Sequence, residues 1–314
     1  MQTKTLTDGI KKKKRVNKDV FFYSALLILP LLQICVFYFG VNFQSIMMAF
    51  QHYRATPTPG SFEWGMGSTL ERFKQEINLN NGMLWPMIGN SVTVWIITSL
   101  VGTSLAVLFA YYVYKKNVGS NFFKLILFLP SVLPGILLVV LFKWFIGDGA
   151  PTYMERLFSV EMANVLEKGS RARFWTISLF SIWISFGPQV LVYTGAMDQI
   201  SPEILEAGQI DGAAPMREFI SIIVPCILPT LGTFLTTGVA SLFTNQNNLF
   251  NFVEGFMADT RESERTIGYY LYCLVYEDSA MGAYCYAAFL GLLCTLVVVP
   301  LALGIRKAVE RMQE

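Results

Sequence analysis

The chain has 314 residues, 54% of them hydrophobic and 15% charged, where an ordinary soluble domain is roughly 25% charged. A net charge of +2 is too small to mark a nucleic-acid-binding surface, and a mean hydropathy of +0.47 with long uncharged runs points to a bilayer as the solvent. The single histidine, His52, excludes a multi-histidine metal site, and the five scattered cysteines, with no C-x-x-C, read as packing residues rather than ligands or disulfides.

In chain order, residues 1–19 form a basic tail carrying Lys11-Lys12-Lys13-Lys14-Arg15. The uncharged stretch from Val20 to Tyr53 is far longer than the apolar core of a signal peptide, and no small-x-small cleavage site follows it. The expectation is an uncleaved first transmembrane helix within 20–50, centred on Phe21–Phe43. A polar segment with Pro57, Pro59 and several glycines covers Gln51–Asn81. The second span is expected at Trp85–Tyr114, with Trp85 and the tyrosines 111, 112 and 114 as interfacial anchors. A short basic loop leads to a third span, Leu125–Ile146, holding Pro130 and Pro134, with Lys143 snorkelling or gating at its end. After a polar loop, Gly147–Arg173, comes a fourth span, Phe174–Tyr193. A mixed polar segment separates it from a fifth, Phe219–Thr244, whose uncharged window continues to Val253. The apolar patch Thr266–Tyr276 is too short to cross, so it is expected at the interface or packed on the bundle. The sixth span is expected at Met281–Ile305, followed by a tail, 306–314.

Loop charge sets the orientation. With the N-terminus inside, 14 of the 24 basic residues fall in the tails and in the second–third and fourth–fifth loops, and the outer loops are net acidic. The expectation is a multi-pass protein of a prokaryotic plasma membrane with both termini cytoplasmic. Its fold class is all-α, a polytopic helical bundle of about six transmembrane helices, with a permease domain at 85–305.

The cytoplasmic segment 197–218 is built like a small folded unit rather than a connector. Ser201 can cap a helix, Pro202 suits its first position and Glu203 suits the positive end of its dipole. Ile204, Leu205 and Ala207 form an apolar face, Asp211-Gly212 signals a turn, and Ala207, Gly208, Gly212, Ala213 and Ala214 leave room for another surface. From spacing alone this is either a docking helix or an interfacial helix packed on its own bundle.

The stretch Glu206-Ala207-Gly208, then Gly212, then Ile222-Ile223-Val224-Pro225 resembles the EAA loop of binding-protein-dependent ABC importer permeases. Gly208 stands where that pattern has a second Ala, and Val224 where it has Leu. Asp211-Gly212-Ala213 and Pro202 are typical of its carbohydrate-uptake branch, and the likeness is clearest over Phe128–Val309. The resemblance implies a type I ABC importer permease fold and a coupling helix docked on an ATPase. Glu206 would make a charge contact there, with Asp211 and Gly212 at the turn and Ala207, Gly208 and Ala213 at the close packing. The chain has no G-x-x-x-x-G-K-[ST] loop, so ATP and Mg²⁺ would sit on a separate ATPase and this chain would bind no cofactor. Leu29-Pro30 in the first span resembles the maltose-F and glycerophosphate-A side of the heterodimer. The implied partners are a second EAA-loop permease, ABC ATPase subunits, an extracytoplasmic solute-binding protein, the sugar and membrane lipid, with no nucleic acid.

Gly238, Ser241, Asn245 and Asn248 stand at i, i+3, i+7 and i+10, so they are expected to share one helical face. Such a stripe serves either as polar glue between helices or as a hydrogen-bonding wall. In maltose-type permeases the sugar-contacting spacing Ser-x-x-x-Asn-x-x-Asn falls, by resemblance, on Ser241, Asn245 and Asn248. The same likeness sets Ser131 and Gly135 where an aromatic and a serine occur, and Ser185 and Pro188 where a glycine and a tyrosine occur. Trp183 aligns well. Either the pocket is wider, or Tyr193, Trp144 or Phe186 supplies the missing aromatic platform, with Gln189 as a further polar contact. Nothing resembles a catalytic constellation. A stand-alone secondary transporter or channel for a small polar solute is the competing class, although ion-coupled carriers need intramembrane acids and these spans hold essentially none.

Overall fold

The computed structural model describes residues 18–54, 60–78, 82–159, 164–168, 170–253, 256–277 and 281–313. The basic run Lys11–Arg15 lies outside them. The chain divides into two units, one ending at Met48 and one beginning at Ala49. The first unit is a single helix, α1, over residues 18–48, whose membrane-length stretch is Phe22–Met48. It passes the expected end at Phe43 because no charge or helix breaker intervenes. Pro30 lies inside it, as transmembrane helices tolerate.

The second unit opens with a two-stranded antiparallel hairpin, β1 (Gln51–Arg54) and β2 (Ser61–Trp64), paired Tyr53 with Phe62 and His52 with Glu63. Composition alone read this segment as irregular. The aromatic residues on both strands favour a pleated pair, and Arg54 bridges to Glu63 at 3.4 Å. Helix α2 (Gly67–Glu76) follows. Then come α3 (Leu84–Tyr114), α4 (Ser120–Val132), α5 (Gly135–Phe158) and α6 (Arg171–Met197). Next are α7 (Pro202–Ile210), α8 (Pro215–Cys226), α9 (Leu228–Ala240) and the short α10 (Leu249–Phe252). The last two are α11 (Ile267–Tyr276) and α12 (Met281–Arg311). Among the described residues, five helices are long and apolar enough to cross a membrane, or six when α8 and α9 count as one bent span.

Departures from the expectation are largest in the third, fifth and sixth spans. The third is broken, because Leu133 precedes Pro134 and takes an extended conformation, separating α4 from α5. Beyond the break α5 runs to Phe158, past the expected end at Ile146. The fifth bends by 68° at Ile227, between Pro225 and Pro229, and its helix stops at Ala240 rather than Thr244. The sixth continues as helix to Arg311, so most of the expected tail is the end of α12.

Packing follows the apolar faces. Ala106, Ala110 and Val113 of α3 meet Ile182, Val190 and Tyr193 of α6, and Phe219 and Ile223 of α8. A second cluster joins Leu84 and Met87 of α3 to Tyr270 and Leu274 of α11 and Tyr286 and Leu290 of α12. A third joins Val139 of α5, Phe180 of α6, Leu249 and Phe252 of α10, and Tyr269 of α11. Helix α11 is thus packed on the bundle. Glycine permits the tightest crossings: a methyl group on Gly187 would strike the Leu127 backbone, and one on Gly232 would strike Val309.

At the end of the bundle where α6 begins, charges are buried in pairs. Arg173 meets Glu264 at 3.7 Å, and Arg265 donates to the Met257 and Thr260 carbonyls at 2.6 and 2.7 Å. Nearby, Glu76 accepts from Arg72 at 2.9 Å and from the Tyr270 and Tyr286 hydroxyls, fastening α2 to α11 and α12. Burial opposes the Arg72 charge, but its hydrogen bonds to Glu76 and Tyr270 outweigh that and raise its pKa.

Candidate functional site

Two features converge on one path along the chain: the segment 197–218 and a cavity one bend beyond it. Pro202 opens α7 and Glu203 sits in its first turn. Ser201 occupies the position before the helix, yet its hydroxyl makes no capping bond, contrary to the expectation. The helix is closed by backbone alone. Gly212 has φ +76°, its N–H donates to Gln209 at 3.0 Å, and the Ala213 N–H donates to Gly208 at 3.0 Å. This is the Schellman pattern, in which a left-handed glycine reverses the chain and satisfies the last carbonyls.

Gly208 marks the first departure from the EAA pattern. A methyl group there would strike Cδ1 of Ile222, so α7 lies close against the start of the fifth span at this point. The far side of α7 is open. Glu206, Ala207, Asp211 and Gly212 are exposed, as are the apolar Ile210 and Met216, with Ile210 87% exposed, whereas Ile204 lines a groove with Gln199 and Cys226 on the side nearer the bundle. Ala213 is partly covered. The base of the segment is fixed to α3. Buried Glu218 meets Lys115 at 2.5 Å, the Tyr111 hydroxyl donates to the Pro215 carbonyl at 3.0 Å, and the Tyr111 and Phe219 rings lie 4.8 Å apart.

The cavity holds about 380 Å³ between α3, α6, α9 and the turn after α9. Helix α3 supplies Thr98, Ser99 and Thr103, the first two from a wide turn at Ile97–Gly102. Helix α6 supplies Ser181, Ser185 and Gln189 at i, i+4 and i+8. The third wall is Phe234, Thr237, Gly238 and Ser241 of α9 and its end, then Asn245 and Asn248.

Gly238, Ser241, Asn245 and Asn248 therefore do share one surface, but not as a helical face. The helix ends at Ser241, and Asn247 and Asn248 adopt left-handed backbone (φ 50° and 55°), which asparagine tolerates. The turn is braced by Asn248 Nδ2 donating to Ser181 Oγ at 2.8 Å and Asn247 Nδ2 to Ser178 Oγ at 3.0 Å. The Thr266 hydroxyl donates to the Asn245 carbonyl at 2.8 Å.

Of the other expected site residues, Ser185 and Gln189 line the cavity, whereas Ser131, Gly135 and Pro188 do not. Ser131 is exposed and donates to its own helix at Phe128, and Gly135 is exposed with open space beside it. The suggested aromatics are elsewhere too: Tyr193 and Phe186 are buried in the core, and Trp144 is 62% exposed. The lining aromatic is Phe234. The α3 hydroxyls and Ser181 were missed. Each reads singly as a helix-satisfied hydroxyl, and only the i, i+4, i+8 spacing on α6 offered a signal.

A family model described as binding-protein-dependent transport system inner membrane component matches residues 99–311. Among curated proteins, the chain is 34% identical over 164 residues to the probable ABC transporter permease protein MG188 of Mycoplasma genitalium, covering 51% of this chain and 47% of that one. The match thus spans about half the length of that relative. The multiple sugar-binding transport system permease protein MsmF of Streptococcus mutans is 22% identical, covering 91% of this chain and 93% of that one. Among solved structures, a chain of a bacterial alginate ABC transporter, in complex with its alginate pentasaccharide-bound periplasmic protein, superimposes with a TM-score of 0.73 at 18% identity. It covers 96% of this chain and 99% of that one, and shows a shared fold.

Proposed function

The chain belongs to the binding-protein-dependent transport system inner membrane components, and from that membership we propose that it is one of two permease subunits of an ATP-driven importer of mono- or oligosaccharides. It would form half of the translocation pathway and hydrolyse nothing itself. A separate ABC ATPase binds ATP and Mg²⁺ and grips α7. A second EAA-loop permease completes the pathway, and an extracytoplasmic binding protein delivers the solute at the end of the bundle opposite α7, with both termini cytoplasmic.

The observation that carries this reading is the open face of α7. A helix between two spans leaves Glu206 and Ile210 uncovered on one face while its base is pinned to α3 through Lys115–Glu218 and Tyr111–Pro215. Exposed apolar residues beside a carboxylate suit docking into a protein groove. ATP-driven closure of the ATPase pair would pull α7, and α8 would transmit the motion past the Ile227 bend into α9 and the cavity. The uncharged hydroxyl and amide lining suits a saccharide, and the name of the Streptococcus mutans relative supports the same class.

The test is Glu206→Lys. Uptake by the assembled importer should be abolished while the amount of protein in the membrane is unchanged, and normal uptake would refute a docking role for Glu206. Titrating the cognate binding protein with a sugar panel would identify the solute. Solute movement by the purified chain without an ATPase would favour a stand-alone carrier.

A further inference from the structure

We propose that the cavity between α3, α6 and α9 is an acceptor-rich pocket that admits neutral and amino saccharides and excludes uronates, an inference that rests on the saccharide-import reading above.

The argument is a count of protons on five of the seven lining hydroxyls. Thr98 donates its hydroxyl proton to the Val94 carbonyl at 2.8 Å, and Ser181 to Ile177 at 3.0 Å. Ser185 donates to Ile182 at 3.1 Å, Thr237 to Thr233 at 2.9 Å and Ser241 to Gly238 at 2.9 Å. A hydroxyl has one proton and two lone-pair sites, so each of these lining oxygens keeps acceptor capacity alone. Two more groups shift the balance the same way. Asn248 spends one amide proton on Ser181 at 2.8 Å and keeps the other, and Gln189 sets a buried Oε1 acceptor with no hydrogen-bond partner among the described residues beside its own two amide donors. In the other direction, Asn245 Oδ1 accepts from the Asn247 N–H at 2.8 Å, which leaves its amide N–H groups as donors. None of the lining residues is charged.

Such a wall matches groups that bring protons. A sugar hydroxyl donates to the spent serine and threonine oxygens and accepts from the Asn245 amide. A protonated amino group brings three donors. A carboxylate brings none, sets a full negative charge against lone pairs, and finds no lining cation to offset its desolvation. The ring of Phe234 offers an apolar patch for the C–H face of a pyranose.

The test is saturation-transfer NMR on the full chain assembled with its partner subunits in nanodiscs, without binding protein. The probes are gluco-, galacto- and manno-pyranoses, each as the neutral sugar, the 2-amino sugar and the uronate. In any series that binds, the neutral and amino forms should bind at least about tenfold more tightly than the uronate. Gln189→Lys should narrow or reverse that gap, and Ser185→Lys on the same helix should do so independently. A uronate that binds as well as its neutral counterpart overturns the acceptor reading and leaves saccharide import standing. Failure of every probe to bind overturns the saccharide reading itself, and this inference with it.

Discussion

Glu218 is 3% exposed, and its ion pair with Lys115 joins the base of α8 to the end of α3. Removing one member of a buried pair leaves an uncompensated charge and costs about 3–5 kcal/mol, whereas replacing both with apolar groups is often near neutral. Lys115 keeps part of its surface in solvent, so the low end of that range applies. Glu218→Ala should therefore lower the melting temperature of the purified protein, and Lys115→Met with Glu218→Leu should recover most of the loss. A double variant no more stable than the single would deny the pair that role. Gly212 gives a second prediction. Its left-handed backbone costs a branched residue more than about 1–2 kcal/mol and asparagine much less, so Gly212→Val should reduce uptake sharply while Gly212→Asn retains most of it. Gly212 was legible because Asp-Gly is a turn signal whatever surrounds it. Gly208 was not, because its reason is Ile222, a residue distant in sequence. Ser201 was misread because capping needs a hydroxyl rotamer that residue type does not specify.

Prolines mark where elements break but not by how much. Pro134 marks a full break, because the residue before a proline leaves the helical region. Pro225 and Pro229 flank a 68° bend at Ile227. Pro225→Ala with Pro229→Ala should straighten the α8–α9 junction, lengthening the distance between spin labels placed at Met216 and Ala240. An unchanged distance would mean that packing, rather than proline, sets the bend. The end of α5 was illegible because Asp148 and Pro151 imitate a loop. The wide turn at Phe145–Gly149 lets the helix absorb both. The hairpin was missed because its strands have four residues each, too few for alternation to register.

Across the whole molecule, span number and the approximate extent of each apolar run were readable because a bilayer demands long uncharged helices. The cavity was half readable. Its α9 side announced itself through Ser241, Asn245 and Asn248, but its α3 wall exists only through tertiary packing. Orientation remains a matter of loop charge, and Cys226 offers a test. It is exposed in a groove with Gln199 and Ser201 beside α7. In a Cys35→Ala background, a membrane-impermeant maleimide should label Cys226 in inverted vesicles and not in intact cells. Labelling of intact cells would place α7 on the outside and remove the basis for an internal ATPase.

The closure of α7 by backbone bonds has a consequence for how such a protein changes over time. The loop keeps its shape through the Ala213-to-Gly208 and Gly212-to-Gln209 amide bonds and the glycine at their centre, so the outward side chains do not have to hold it together. Those side chains can therefore vary without loss of the turn. On the reading proposed above, a few altered surface residues would suit α7 to a different ATPase with its backbone frame left intact.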